Sequence, residues 1–134
     1  MKSKVRIEKI TIERKIDESP DLSFLQQDYA EVKNIKEREK YLKQDKERLN
    51  AYNNNEFDFL GISAKAEVSY EMDNVYPKGN RRIEWLSSGG LWGIESDCGE
   101  KELKQVEDEQ LENLKEHLKM FNVDISDFNK KIER

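Results

Sequence analysis

The sequence predicts a single α+β domain spanning residues 1–134: an antiparallel sheet of three or four strands, packed by a C-terminal amphipathic helix and accompanied by one long charged helix. Three observations predict it. Residues 4–16 and 57–72 alternate apolar with polar side chains, the period of strands with one buried face. Residues 28–53 and 100–121 instead repeat their apolar residues at helical spacing. The order strand, helix, strand, strand, strand, helix favours antiparallel pairing over a parallel sheet, and 134 residues suffice for one core.

In residues 4–16 the apolar positions are Val5, Ile7, Ile10, Ile12 and Ile16, and their parity changes between Ile7 and Ile10, which predicts a bulge or bend. Pro20 breaks the strand, and Leu22, Phe24 and Leu25 form a short apolar patch fit to dock on a sheet. The helix predicted over 28–53 carries only a thin stripe, Tyr29, Val32, Ile35, Leu42, Leu49 and Tyr52, interrupted by Glu39 and Lys46. Such a helix projects, pairs with a copy of itself, or packs only at its ends; residues 53–55, all asparagine, close it.

In residues 57–72, Leu60, Ile62, Ala64, Ala66, Val68, Tyr70 and Met72 share one face, and Ser63, Lys65, Glu67, Ser69 and Glu71 the other. Pro77 and Gly79 mark a hairpin loop over 73–80. The chain returns over 81–86 with Ile83 and Trp85 expected inward, and 91–94 forms a third short strand. Asp97 with Glu100 fits a capping box for a final helix bearing Leu103, Val106, Leu111, Leu114, Leu118 and Phe121, with Asn122 as its stop. Val123, Ile125, Phe128 and Ile132 then dock the tail.

Hydrophobic residues make up 35% and charged residues 40%, so the core is lean and one element must be largely solvated. The net charge is −5, with nine acids against three lysines over residues 95–118. That balance argues against a dedicated nucleic-acid binder, which clusters Lys and Arg. A nucleic-acid-binding regulatory module remains the alternative, through Lys33, Lys36, Lys40, Lys43 and Arg48 or through Lys78, Arg81 and Arg82. The single Cys98 cannot form an internal disulfide, residues 1–15 hold no continuous apolar stretch of signal-peptide length and no run long enough to span a bilayer occurs, so a cytoplasmic protein is expected.

Four of the six glycines fall in residues 87–100, SSGGLWGIESDCGE, where the backbone needs conformations or approaches that side chains forbid. The stretch lacks the Gly-Lys-Ser/Thr of a P-loop and the first glycine of a nucleophile elbow, and its acids would repel phosphate. Glu95, Asp97 and Glu100 could meet at an oxygen-ligated metal in a metal-dependent hydrolase, but their spacing is not that of a calcium loop. Capping is their simpler role. Cys98 and the only histidine, His117, lie about nineteen residues apart along one helix, roughly 27 Å, too far for a catalytic pair. No catalytic, cofactor or metal residues are therefore assigned. Trp92 reads as core or as an exposed contact.

Phe59, Gly61, Ile62, Ala64, Ala66, Glu67 and Val68, then SSGGLWGIESD over 87–97, then Val106, Glu107, Glu109 and Leu114, resemble a family of small proteins of phages, prophages and plasmids for which SGGLWGIESD is a marker; residues 21–25 resemble its amino-terminal region. The family carries no assigned activity. The resemblance implies a mobile genetic element in a bacterial host, and Cys98 departs from its usual serine. The expected function is a non-enzymatic protein-interaction module, with inhibition of a host defence complex such as a CRISPR effector as its task. Its partner would be a host or phage protein complex, met through Trp92, Glu95, Glu107, Asp108, Glu112 and Glu116. A homodimer through the long helix is a further expectation, and no membrane partner is expected.

Overall fold

A computed structural model describes residues 5–71 and 81–134. The chain runs β1 (Arg6–Ile16), a 3-10 turn (Ser23–Leu25), α1 (Ile35–Asn53), β2 (Phe59–Glu71), β3 (Arg81–Ser87), β4 (Leu91–Glu95), α2 (Glu100–Met120), a second 3-10 turn (Asn129–Lys131) and β5 (Ile132–Glu133). The domain is α+β, as the periodicities predict. The sheet has five strands in the order β3-β2-β1-β5, with β4 also paired to β2. It is mixed, because β5 joins β1 in parallel at Ile10 and Thr11. The predicted hairpin loop, with Pro77, Lys78 and Gly79, and the inward Met72 lie outside the described residues.

β1 and β2 pair antiparallel along nearly their whole length, and the register shifts between Ile7 and Lys9, where the apolar parity changes. That shift keeps both Ile7 and Ile10 buried. The inner face of β2, Ala64, Ala66 and Val68, meets Leu111, Leu114 and Leu118 of α2, with Val123 and Phe128 of the tail closing the cluster. α2 thus docks by a leucine stripe at helical spacing. Asn122 takes φ 58° and ends it, as Asn55 with φ 59° follows the end of α1.

Two boundaries differ from expectation. α1 begins at Ile35 rather than near residue 28, because Tyr29 adopts φ 55° and breaks the helical path. Asn34 then caps the helix, its Oδ1 accepting from the amides of Lys36 (3.0 Å) and Glu37 (3.3 Å). α2 begins at Glu100 behind Gly99, whose φ is 102°, and no side chain caps it. The expected capping box does not form: Asp97 and Glu100 are drawn instead to arginines on other elements.

α1 buries no residue. Its apolar packing is at the last turns, where Leu49, Ala51 and Tyr52 meet a second small core of Leu25, Phe57 and Phe59, while Tyr29 bonds Asp45 and Arg38 donates to the Val32 carbonyl nearer its start. Tyr52, Phe57 and Phe59 pack with ring centroids 5.1 to 5.8 Å apart, and Phe24 meets Phe59 edge-on at 5.8 Å. By the alternation of β2, Phe59 belongs to the side of Gly61 and Ser63, opposite the α2 core. The 3-10 turn and the end of α1 therefore cover one end of the outer sheet face, and the apolar patch of residues 22–25 docks there as anticipated.

Candidate protein interface on the open sheet face

β3 and β4 are one interrupted strand. Since β1 occupies one edge of β2, both lie end to end along the other. β3 pairs Glu67 with Trp85 and Lys65 with Ser87; β4 then pairs Ile62 with Leu91 and Leu60 with Ile94. Partner numbers sum to 152 in β3 (65 + 87), 153 at Leu91 (62 + 91) and 154 at Ile94 (60 + 94), so one extra residue enters before Leu91 and another before Ile94. The glycine-rich motif supplies both insertions. Gly90 has φ 86°, a conformation that strains any side chain, and a Cβ there would crowd the Ile62 carbonyl oxygen and Ser63 Cβ at 3.2 Å.

The first insertion has a consequence for side chains. Trp85 and Trp92 are seven positions apart and in an unbroken strand would point to opposite faces; one inserted residue puts them on the same face. Trp85 stands opposite Glu67 on the outer face of the sheet, and its expected burial is overturned, with 52% of its surface exposed. Ile83, opposite Ser69, is likewise 55% exposed rather than inward. Sequence alternation within residues 81–86 fixes which residues share a face but not which face is buried, and the register with β2 decides that. Trp92 is 54% exposed and lies flat across Gly61, where any Cβ would come within 2.2 Å of its ring.

The motif is tied down from behind. Ser88 Oγ accepts from the amide of Ala64 (3.0 Å) and donates to Gln110 Oε1 of α2 (2.7 Å), which also accepts from the amide of Gly90 (3.1 Å). Gln110 and Ser88 are both buried. His117 adds a ring-nitrogen contact to the Ser87 carbonyl at 3.0 Å. Two arginines hold the rest. Arg48 of α1 reaches Glu95 (2.7 Å) and both carboxylate oxygens of Asp97 (2.8 and 3.0 Å), its guanidinium 3.7 Å from the Phe57 ring centroid. Arg14 of β1 binds Glu100 (2.5 Å) and Glu107 (3.0 Å). These bonds hold the carboxyls of Asp97 and Glu100 below the ordinary carboxylate range and raise both guanidinium pKa values.

Glu95 and Asp97 therefore face one arginine and Glu100 another, and among the described residues no group of three or more His, Cys, Asp or Glu is placed to hold a metal ion. Of the acids singled out on α2, Glu107 is bound to Arg14, Asp108 meets Arg134 (3.2 Å), Glu116 pairs with Lys119 (3.2 Å), and Glu112 is exposed. They share one helix, whereas Trp92 and Glu95 sit on β4. Among the alternative cations, Arg48 is committed to Glu95 and Asp97, and Arg81 Nε donates to Ser69 Oγ (2.9 Å).

Charges on the outer face largely answer one another: Lys9 meets Glu67 (3.8 Å), and Lys65 meets Glu13 (3.3 Å), which Lys15 also approaches (3.3 Å). Lys9 lies over the Trp85 ring at 5.6 Å. Thr11, Glu13, Lys65, Trp85 and Ser87 line a shallow depression of about 270 Å³, and Asp17, Asp21, Phe24, Trp92 and Gly93 line one of about 430 Å³. The face thus exposes Ile83 and Trp85 toward one end and Trp92 toward the other, among internally balanced charges. Sequence reasoning overlooked Gln110 and Arg14, and named Gly61 without its contact to Trp92. A lone glycine inside a strand pattern is the signal that could have disclosed the Trp92 contact.

No protein-family model, curated protein or solved structure matches the chain. Among the described residues no helix is long and apolar enough to cross a membrane.

Proposed function

We propose that this chain is a non-enzymatic protein-interaction module whose outer sheet face is its recognition surface. One observation carries the reading: a glycine-built insertion brings both tryptophans of the chain onto the one sheet face that α2 does not cover. Exposed tryptophans ringed by balanced charges are the composition of an interaction hot spot, because the rings bury much area at little entropic cost while the rim excludes water. The resemblance of SGGLWGIESD to small phage, prophage and plasmid proteins supports a mobile-element setting, with a host defence complex such as a CRISPR effector as the target. Glu112 and its neighbours on α2 add a negative field that steers approach to a basic partner.

The test is affinity capture from a bacterium carrying such a complex, comparing wild type with a Trp85→Ser/Trp92→Ser variant and with Glu112→Lys/Glu116→Lys. The proposal expects a partner retained by wild type, lost by the tryptophan variant with its circular dichroism preserved, and weakened in a salt-dependent way by the lysine variant. No capture by wild type, or capture indifferent to the tryptophans, refutes it.

A further inference from the structure

β3 ends the strand order, so its far edge carries backbone donors and acceptors that meet no strand among the described residues. Edge strands of soluble proteins are commonly blunted or covered. β3 is neither short nor bulged within Arg81–Ser87, and Arg82, Ile83, Glu84 and Trp85 are all exposed along it. We infer that this edge pairs with β3 of a second copy of the chain, antiparallel about a two-fold axis normal to the sheet, to give one continuous sheet across two protomers.

Charge selects the occupant and the register. A two-fold axis normal to the sheet must place a residue opposite its own copy, since only residues of like parity can face each other. Centred on Glu84, the pairing would set two carboxylates against each other. Centred on Trp85, it would put Glu84 opposite the partner's Leu86, with no charge pair. Centred on Ile83, Arg82 faces the partner's Glu84 and Glu84 faces the partner's Arg82, two unlike pairs at cross-strand distance. In that register Ile83 meets the partner's Ile83 on the outer face. The strand is complementary to itself in this register. The inference is independent of the proposed binding function, although dimerisation would place the tryptophans of both protomers on one extended face.

The experiment is sedimentation velocity of the full chain over a concentration series, with Arg82→Glu, Glu84→Arg and the double swap. Both side chains are exposed; Glu84 accepts from Tyr70 Oη at 3.1 Å, so circular dichroism and urea unfolding of each variant accompany the sedimentation and show that the fold is kept. The expected result is a monomer–dimer equilibrium in wild type, weakened about tenfold or more by either single exchange, which sets like charges opposite, and recovered by the double exchange, which restores unlike ones. Three outcomes overturn it: a monomer at every concentration, which leaves the edge to a strand of another protein; a dimer indifferent to both single exchanges, which moves the contact to another surface such as α1; or a double exchange that fails to restore association.

Discussion

Gly61 and Trp92 make the sharpest case at the level of single residues. A Cβ at position 61 would lie 2.2 Å from the Trp92 ring, so Gly61→Ala must push the indole off the sheet. Chemical denaturation should show a loss of about 1–3 kcal/mol, the range for overpacking. The loss should largely vanish in a Trp92→Ala background, because the pair is coupled only through that contact; a cost that persists there would mean the glycine serves the backbone instead. Gln110→Ala removes the acceptor for Ser88 Oγ and the Gly90 amide, and unpaired buried donors cost about 1–3 kcal/mol together with local loosening of the motif. The need for glycine in residues 87–100 was legible in the sequence. What it served was not: a single inserted residue re-aims an indole, and the register that shows this comes from strand partners remote in the chain.

The helix α1 is the element whose poor core packing the sequence anticipated and whose start and anchor it missed. Its broken stripe left projection, self-pairing and packing at an end open, and no residue along it is buried, but nothing in the local pattern links Arg48 to acids 47 and 49 positions away. Arg48→Ala should release α1, so that amide hydrogen exchange quickens through α1 and residues 95–98 while β1 and β2 stay protected; equal protection in both proteins would count against the anchor. Acid should act on the same contact. The folded pKa of Asp97 lies below its unfolded value because Arg48 binds the carboxylate, so its contribution is present above about pH 4 and is lost as pH falls through the depressed folded value. Wild type should therefore lose urea resistance more steeply than Arg48→Ala as pH falls below about 4. Parallel curves would contradict the assignment. The capping box fails for the same reason: Asp97 has a stronger partner in a guanidinium than in the helix amides.

For the whole molecule, the α+β class, the bulge in β1, the α2 stripe and the docked tail were readable because each follows from local periodicity. The parallel β5 and the outward turn of Ile83 and Trp85 were not, because both depend on which neighbour a strand finds. The account rests on one face of the sheet being left uncovered over most of its area, with recognition carried there. Since the chain has two tryptophans and both lie on that face, their emission reports directly on it. Acrylamide quenching of the native protein, set against the protein in denaturant, is the most direct measurement. The account predicts red-shifted native emission, with both indoles quenched by acrylamide at more than half the efficiency seen for the unfolded chain, and a blue shift with protection once a partner is bound. Blue-shifted, quencher-resistant emission from the free monomer would contradict it, for it would mean that the tryptophans are already core.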